Sequence, residues 1–311
     1  MHDRPDPSGP PQLLPAQPAW EPGPRGSLLV RAPAKLNLCL RVGPPRSDGY
    51  HPLDSLVAKV TLYDELILAP LPDGQLELHC DCPAAGPAPT NLALRAARLL
   101  REHVRGGQEL GARIEVRKHI PVAAGLGGGS SDAAAALTGL NRLWNIGLSQ
   151  SELVSLAAAL GSDVPLFLAG PVSRMQGRGE VLCPVSGLGP FWAVLVCPPL
   201  SCPTAAVYAA YDQAGGGRLE DARPELLSGR PVEDWPALLP NDLFGPACRV
   251  CPGLTEWADR LGRAVHRPVQ MTGSGSTLFV LAGGPEAAQA AHAQLGTELS
   301  RHARLVALNP W

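Results

Sequence analysis

A glycine-rich segment at residues 121–137 constrains the fold of this chain more than any other feature. It reads Pro-Val-Ala-Ala-Gly-Leu-Gly-Gly-Gly-Ser-Ser-Asp and continues into an alanine run at residues 133–136. Glycine adopts positive φ angles and lets a ligand approach the main chain, and alanine is the strongest helix former. The pattern predicts a loop and then a helix over residues 132–143, whose unpaired N–H groups suit phosphate.

Two familiar phosphate-binding patterns do not fit this segment. A Walker A loop ends in Gly-Lys-Ser or Gly-Lys-Thr, and the chain has no lysine after Lys118. A dinucleotide fingerprint needs a third glycine or alanine where Ser130 stands, and it follows a buried strand, whereas residues 112–120 alternate as a half-exposed strand does. A flexible glycine linker is the remaining alternative, but linkers seldom join a patterned strand to a helical segment. We therefore interpret the segment as a binding loop for a nucleotide's polyphosphate.

The composition is that of a globular chain with room for two domains. The 311 residues are 45% hydrophobic and 17% charged, with a formal net charge of −2. This balance gives no reason to expect a nucleic-acid or membrane-surface partner, and no apolar run is long enough to predict a membrane-spanning helix. Residues 1–26 are rich in proline and lack the features of a signal peptide. They are predicted to be a disordered or loosely attached leader, with a docking segment as the alternative, and a cytoplasmic location is expected.

Eight cysteines raise the question of a metal site. Cys248 and Cys251 have zinc-knuckle spacing, but Cys80 and Cys82 are too close together to supply the usual second pair. Without a secretory signal the thiols are expected to be reduced, several of them packed as small hydrophobic side chains. No metal-binding residue is therefore predicted.

Strands and helices are mixed without the strict alternation of a doubly wound sheet, so the predicted fold class is α+β. Alternating or apolar runs predict strands at residues 27–32, 35–42, 57–69, 75–80, 112–120, 191–197 and 278–281. Helical periodicity predicts helices at residues 91–104, 132–143, 151–160 and 285–298. Thr90 is the predicted N-cap of the first helix, and Ser149 or Ser151 starts the third. A second glycine loop spans residues 272–277, whereas residues 215–240 show no clear pattern.

Two polar residues in apolar surroundings are candidates for phosphoryl-transfer chemistry, which needs charge neutralisation and a group that orients or deprotonates the acceptor. Asp163 precedes the apolar run Val-Pro-Leu-Phe-Leu, where partial desolvation suits a general base. Its alternative role is the N-cap of a short helical turn. Lys35 is one of three lysines in an arginine-rich chain. It can orient the acid or stabilise the transferred charge, or it can be a surface lysine on a strand.

Three segments together resemble the motifs of the GHMP kinases, a superfamily that includes galactokinase, homoserine kinase and mevalonate kinase. They are Pro-Ala-Lys-Leu-Asn-Leu at residues 33–38, Gly-Leu-Gly-Gly-Gly-Ser-Ser at 125–131 and Thr-Gly-Ser-Gly-Ser-Thr at 272–277. Within the superfamily, Asp-Gly-Tyr-His at 48–51 and Gly-Ser-Asp-Val-Pro-Leu-Phe at 161–167 are similar to the 4-diphosphocytidyl-2-C-methyl-D-erythritol kinases. The likeness covers the chain from about Ser27 to its end.

The resemblance implies a fold and a reaction. The fold is the two-domain GHMP kinase fold, with an N-terminal ATP-binding domain (ribosomal protein S5 domain 2-like) at residues 27–174 and a C-terminal ferredoxin-like domain at residues 175–311. The active site lies in the cleft between them. The reaction is transfer of the γ-phosphoryl group of ATP, with Mg²⁺, to the 2-hydroxyl of a methylerythritol linked to cytidine diphosphate, in the non-mevalonate isoprenoid pathway. The implied partner is this small molecule, with no nucleic acid and no membrane, and the implied state is a monomer or weak homodimer.

The resemblance also assigns roles to residues. Asp163 becomes the general base on the substrate hydroxyl, and Lys35 becomes its catalytic partner. Tyr50 and His51 are expected to stack on the cytosine and bind its polar edge, with Tyr208 as a second aromatic residue. The remaining substrate contacts implied are Asn37, Gly273, Ser274 and Gly275. The ATP contacts implied are Asn91, Pro121, Val122, Ala123, Ala124, Gly125, Leu126, Gly127, Gly128, Gly129, Ser130 and Ser131.

Two other functions stay open at this level. A related GHMP kinase acting on mevalonate, a sugar or homoserine has the same general motifs, but those acceptors carry no cytosine for Tyr50 and His51 to bind. A non-catalytic nucleotide-binding regulator of the same fold is the second alternative, against which Lys35 and Asp163 argue. Competition by CMP tests the first alternative, and turnover of ATP with the cytidine substrate tests the second.

Overall fold

Two β-sheets covered by helices make up the computed structural model, which describes residues 19–104 and 106–311. The strands of the first sheet are β1 Trp20–Pro22, β2 Leu28–Val42, β3 Leu53–Leu71, β4 Leu76–Cys80, β5 Gly111–Arg117, β6 Val172–Gly177 and β7 Val181–Pro184. Those of the second sheet are β8 Trp192–Val196, β9 Gln270–Met271, β10 Leu278–Ala282 and β11 Ala303–Ala307. The α-helices are α1 Leu92–His103, α2 Gly128–Leu143, α3 Gln150–Leu160, α4 Thr204–Gln213, α5 Phe244–Val250, α6 Gly253–Val265, α7 Pro285–Ala293 and α8 Thr297–Arg301.

The first sheet is built around two long antiparallel strands, β2 and β3. The two pair along nearly their whole length, and the other edge of β3 is shared between β6 and β5. A register irregularity between Pro33 and Ala34 marks the point where β2 changes cores, since Val30 packs under the helices and Leu36 packs between the sheets. Nearly every residue of β2 is buried. The polar residues that alternate with its apolar ones therefore face the interior of the protein rather than solvent.

The second sheet has the order β11-β8-β10-β9, and all its pairings are antiparallel. Its strands and intervening helices follow the sequence β-α-β-β-α-β, which is the ferredoxin-like arrangement. This agrees with the fold that the sequence motifs imply for the C-terminal half.

Three hydrophobic cores define the layers. One lies between the first sheet and helices α1 to α3 and includes Leu140. A second lies between the two sheets and includes Phe279. The third lies between the second sheet and the helices of the C-terminal half and includes Leu261. The two sheets are thus packed against each other over a shared core.

The start of α2 was predicted wrongly. The helix begins at Gly128 rather than at Asp132, and Gly127 precedes it in the left-handed conformation. Two of the loop's glycines therefore form the first helical turn, although glycine is a poor helix former. This places the free N–H groups of the helix within the glycine segment itself.

The caps and ends of other helices differ from the sequence prediction in part. The N-cap of α1 is Asn91 and not Thr90, because Asn91 Oδ1 accepts a hydrogen bond from the Ala93 N–H at 3.0 Å. Ser149 caps α3 in a capping box, which was one of the two predicted possibilities. The single helix predicted at 285–298 is two helices, α7 and α8, and the second follows Gly296.

The prediction of a disordered leader is wrong for its last residues. Trp20–Pro22 pairs with β2 as an edge strand, and Glu21 forms an ion pair with Arg31 at 2.9 Å. The Arg142 guanidinium lies 3.5 Å from the centre of the Trp20 ring, a cation–π contact that the proline content did not suggest. Residues 1–18 of the predicted leader lie outside the described residues.

The segment at residues 215–240, which showed no sequence pattern, contributes to the core between the sheets. It contains two 3-10 helices, Pro224–Leu227 and Val232–Ala237, and its Trp235 side chain is 2% exposed. Short 3-10 turns bury isolated side chains, so no helical or strand period develops. Helices α4, α5 and α6 were likewise not predicted.

Candidate active site

The glycine loop forms one wall of a cavity of about 310 Å³. Residues 121–130 line it together with Asn91, Lys118 and Asp132. Gly125 and Gly127 have φ angles of 78° and 73°, a left-handed conformation that glycine adopts without strain. At Gly127 any Cβ would lie 2.8 Å from the Phe167 ring. The loop thus needs glycine there both for its backbone conformation and for close packing.

Hydrogen bonds join the three sequence motifs into one unit. The Lys35 N–H donates to the Leu126 carbonyl at 3.0 Å, which fixes β2 to the glycine loop. The Asn37 N–H donates to Thr272 Oγ1 at 2.9 Å, and that hydroxyl donates to the Gly125 carbonyl at 3.3 Å. Segments that are far apart in the sequence therefore meet around one point. Main-chain groups make most of these bonds, so their geometry depends little on side-chain conformation.

The Lys35 ammonium group is buried and held by Asn37. Lys35 is 5% exposed, and its Nζ donates to Asn37 Oδ1. Asn37 Nδ2 in turn donates to Ser55 Oγ at 2.8 Å, so both ends of the amide are used. Burial lowers the pKa of Lys35, and the negative charge of Asp163 partly offsets this effect. The alternative of a surface lysine is wrong.

Asp163 is half-buried between α3 and the 3-10 helix Pro165–Leu168. The N-cap position of that 3-10 helix is Val164, so the alternative role of Asp163 as its N-cap is wrong. A Cβ at Gly179 would lie 3.8 Å from Asp163 Oδ1, which places the β6–β7 turn against the carboxylate. The negative charge of Asp163 acts to raise the pKa of both Lys35 and Tyr208. The acid therefore lies where the lysine, an aromatic residue and a glycine turn converge.

An aromatic cluster lies beside Asp163. The rings of His51 and Tyr208 are 5.0 Å apart, and the ring of Tyr211 meets His51 edge-on at 6.1 Å. His51 Nε2 lies 2.8 Å from Asp212 Oδ1. Burial raises the pKa of Tyr208 to about 12, with a smaller contribution from Asp163. Tyr50 is 53% exposed, so its ring is available to a ligand.

Helix α4 carries Tyr208 and is fixed to the rest of the site at both ends. At its start, Thr204 Oγ1 and Ser274 Oγ are 2.9 Å apart, which joins the helix to the second glycine loop. Near its end, the Tyr211 hydroxyl donates to the Val42 carbonyl at the end of β2. The second glycine loop also approaches the lysine, since a Cβ at Gly273 would lie 3.4 Å from Lys35 Nζ. Helix α4 with Tyr208, the second glycine loop and Lys35 are therefore neighbours in the site.

A buried charge network beneath the glycine loop was missed in the sequence. Lys118 Nζ donates to Asp64 and also to Asp132, the latter at 2.6 Å. Asp64 Oδ1 additionally accepts the N–H groups of His119 and Ile120, which lead into the loop. Burial and the charge of Asp64 raise the pKa of Asp132, and Lys118 opposes this effect. The signal was the acid directly after Ser131, together with a lysine just before the loop.

The comparisons with known proteins identify the family. A sequence profile for the GHMP kinases N terminal domain matches residues 91–171. The 4-diphosphocytidyl-2-C-methyl-D-erythritol kinase of Hyphomonas neptunium is 42% identical over 82% of this chain and 87% of its own length. The enzyme of that name from Kineococcus radiotolerans is 41% identical over 89% of this chain and 88% of its own length.

This chain belongs to the 4-diphosphocytidyl-2-C-methyl-D-erythritol kinase family.

The family assignment agrees with the fold. A crystal structure of 4-(cytidine 5'-diphospho)-2C-methyl-D-erythritol kinase matches with a TM-score of 0.74 at 40% identity, over 90% of this chain and 97% of that one. A crystal structure of mevalonate kinase matches with a TM-score of 0.66 at 13% identity, over 90% and 98%, which shows the shared fold alone. The two-domain GHMP kinase fold is thereby confirmed. As a member of this kinase family, the chain is a phosphotransferase that uses ATP and acts on an alcohol group.

Within the described ranges, no group of three or more His, Cys, Asp or Glu side chains is arranged to hold a metal ion. Cys248 and Cys251 lie partly buried at α5 as free thiols. None of the helices in residues 19–104 and 106–311 combines the length and apolarity needed to cross a bilayer.

Proposed function

We propose that this kinase phosphorylates the 2-hydroxyl of 4-(cytidine 5'-diphospho)-2C-methyl-D-erythritol, in the methylerythritol phosphate pathway to isoprenoids. The observation that carries the proposal is the position of Asp163. It lies near Lys35, which is bonded to the glycine loop, and near Tyr208 of the aromatic cluster. A carboxylate between a phosphate loop and a base-binding cluster is where a nucleotide-linked alcohol would react.

On the donor side, the cavity of the glycine loop is proposed to hold ATP. The loop's backbone N–H groups and the start of α2 supply donors for the phosphates. Asn91 lines the same cavity and uses its side-chain oxygen as the cap of α1, which leaves its amide N–H groups for the adenine.

Mg²⁺ is the ion expected with ATP, and the loop offers oxygen ligands that fit it. Ser130 lines the cavity, and Ser131 Oγ is buried without a hydrogen-bond partner in the part of the chain that the structure describes. Serine hydroxyl oxygens hold Mg²⁺ in other phosphate loops, so these two residues would hold it here. The ion would neutralise charge on the phosphates of ATP.

On the acceptor side, Asp163 is proposed to accept the proton of the 2-hydroxyl. Lys35 faces this acid, whose negative charge partly offsets the burial that lowers the pKa of the lysine. Asn37 positions the ammonium group from the side. The lysine then stabilises charge on the transferred phosphoryl group, and a hydrogen-bonded carboxylate orients the attacking oxygen.

The aromatic cluster is proposed to bind the cytosine. In neutral His51, donation of the Nε2 proton to Asp212 makes Nδ1 an acceptor, and the amino group of cytosine is a donor. Tyr50 and Tyr208 offer faces on which a planar base can stack, and such contacts contribute about 1–3 kcal/mol per base. Mevalonate, homoserine and free sugars carry no planar base that would stack between these rings. Gly273, Ser274 and Gly275 lie between the cluster and the glycine loop, where the acceptor's alcohol portion would pass.

Three further expectations accompany this proposal. The domain division at residues 174 and 175 stays a prediction, and the pairing of β7, Val181–Pro184, with β6 favours a boundary after that strand. A cytoplasmic location and a monomer or weak homodimer also stay predictions.

An ADP-release assay with purified protein tests the function. ATP and Mg²⁺ are supplied with the cytidine-linked methylerythritol, and separately with mevalonate, homoserine and galactose. Turnover with the cytidine-linked substrate alone, with phosphorus NMR showing a new monoester on the 2-position, is the expected result. Preferred turnover of another acceptor would assign a different GHMP kinase activity, and no turnover with any of them would favour a non-catalytic regulator.

A further inference from the structure

One cation next to the proposed acceptor site, Arg178, pairs with no carboxylate in the part of the chain that the structure describes. Arg178 is exposed in the β6–β7 turn, and no carboxylate of the described residues lies within ion-pair distance of its guanidinium. Its backbone N–H bonds to the Glu180 carboxylate, which holds the turn rather than the guanidinium. Within residues 19–104 and 106–311, the guanidinium charge therefore has no ion-pair partner.

Three other arginines near the site, Arg174, Arg41 and Arg46, are engaged in ion pairs. Arg174 forms two hydrogen bonds from Nε to Asp54, at 2.8 and 3.1 Å, and also contacts Asp221. Arg41 pairs with Glu220 at 2.8 Å and with Asp242 at 3.1 Å. Arg46, in the loop before Tyr50, lies 3.4 Å from Asp48. Among these described arginines, Arg178 is the one whose charge is available to an anionic ligand.

The position of Arg178 links the two parts of the acceptor site. Its guanidinium carbon lies 3.7 Å from the centre of the Tyr50 ring, which is a cation–π contact. Its neighbour Gly179 lies against Asp163, as the 3.8 Å distance from a Cβ there to Oδ1 shows. Arg178 is thus placed between the residue proposed to stack on the base and the residue proposed to act on the hydroxyl.

The substrate chemistry requires a charge at this place. A cytidine diphosphate ester carries its two phosphates between the base and the alcohol, so the diphosphate must pass between Tyr50 and Asp163. Lys35 is buried beside the glycine loop, and its ammonium group is already held by Asn37. A planar guanidinium matches phosphate oxygens with paired hydrogen bonds.

We propose that Arg178 binds the diphosphate of the nucleotide-linked acceptor and positions its alcohol at Asp163. The inference rests on the proposed function, because it names the group that binds the anionic part of that substrate. The Tyr50 contact holds the guanidinium at the site before substrate arrives, which reduces the entropy lost on binding. Since Tyr50 stays half exposed with Arg178 on its ring, the base still has aromatic surface to stack on.

The test compares inhibition by cytidine and by CDP in wild type and Arg178→Ala, with ATP saturating. Loss of a charged hydrogen bond of this kind is expected to raise the KM for the cytidine-linked acceptor on the order of 10- to 100-fold. The inhibition constant of CDP should rise similarly. The inhibition constant of cytidine and the KM for ATP should stay within about twofold of their wild-type values. Arg178→Lys should recover part of the CDP affinity, since it restores the charge without the planar fork.

A matched control is Arg263→Ala, an exposed arginine on α6, which should leave every constant unchanged. Equal weakening of cytidine and CDP would overturn the proposal, because Arg178 would then act only by packing on Tyr50. Unchanged CDP binding in Arg178→Ala would also overturn it. If wild type fails to phosphorylate the cytidine-linked alcohol at all, the proposed function fails instead, and the two failures are distinguishable.

Discussion

The donor and acceptor halves of the site are built from different materials. The donor half is one continuous segment of small residues, where backbone N–H groups and the start of α2 face the cavity. The acceptor half is assembled from side chains on four separate elements: Lys35 on β2, Tyr50 and His51 in the β2–β3 loop, Asp163 after α3, and Tyr208 on α4. A phosphate is bound by main chain that many sequences can present. Recognition of an alcohol linked to a particular base depends instead on individual side chains.

The difference suggests that single side-chain changes separate the two halves. Variants of the acceptor half should alter the acceptor constants or the chemical step while leaving ATP binding intact. Backbone changes in the glycine loop should instead disturb the donor half and the packing that joins the motifs.

The largest effect is expected from Asp163→Asn. Removing the general base while keeping the shape should lower kcat on the order of 10²–10⁴-fold. The KM for ATP should change less than about threefold, because Asp163 does not line the cavity of the glycine loop. Steady-state kinetics with varied ATP measure both. A kcat within tenfold of wild type would remove Asp163 as the base; Asp259→Asn, an exposed acid on α6, is the matched control.

Tyr50→Ala should affect the acceptor alone. Loss of one stacking contact of about 1–3 kcal/mol corresponds to a rise of about 5- to 150-fold in the acceptor KM. The ATP constant should stay as in wild type. Titration calorimetry with CMP checks the same expectation without turnover, and a simultaneous loss of ATP affinity would contradict the separation of the two halves.

Gly125→Ala should disturb the junction between the glycine loops. A Cβ at this position would lie 2.5 Å from the Thr272 carbonyl, and the φ of 78° is strained for alanine. We expect a loss of about 1–3 kcal/mol in the free energy of unfolding, measured by urea denaturation. Gly129→Ala is the matched control for stability. Gly129 lies within α2, and its Cβ would lie 3.8 Å from the nearest side chain, that of Leu92 in α1. Equal losses in both variants would show that Gly125 is not specially constrained.

The smallest effect is expected from Tyr208→Phe. Burial raises the pKa of Tyr208 to about 12, so its hydroxyl keeps its proton throughout the working pH range. The pKa of Lys35 is lowered from 10.5, so its charge is lost first as the pH rises, and kcat should fall on the alkaline side. Tyr208→Phe should keep the same alkaline fall, with kcat within about twofold. A fall that disappears in this variant would assign the titration to Tyr208.

The sequence predicts the donor half better than the acceptor half, for a physical reason. A glycine loop before an alanine run is a local signal, since neighbouring residues determine both the backbone and the helix. The helix start was still wrong by one turn, because Gly128 and Gly129 enter the helix despite their low propensity. Gly127, directly before the helix, packs closely against Phe167 and Lys35, and a local sequence pattern does not contain such tertiary contacts.

The acceptor half could be listed from motifs but not assembled from them. Lys35 looked equally like a surface lysine, because alternation in β2 resembles that of a half-exposed strand. Only the pairing of β2 within the sheet and its bonds to two loops explain why the lysine is 5% exposed. Asp212 and Arg178 were not predicted at all, since their partners His51 and Tyr50 lie more than a hundred residues away.

Inhibition by CMP against each substrate tests the central claim most directly. The account predicts that CMP competes with the cytidine-linked acceptor and does not compete with ATP, because the base binds to Tyr50, His51 and Tyr208 and not to the glycine loop. Competition with ATP alone, or no inhibition at millimolar CMP, would contradict the division of the site into a main-chain donor half and a side-chain acceptor half.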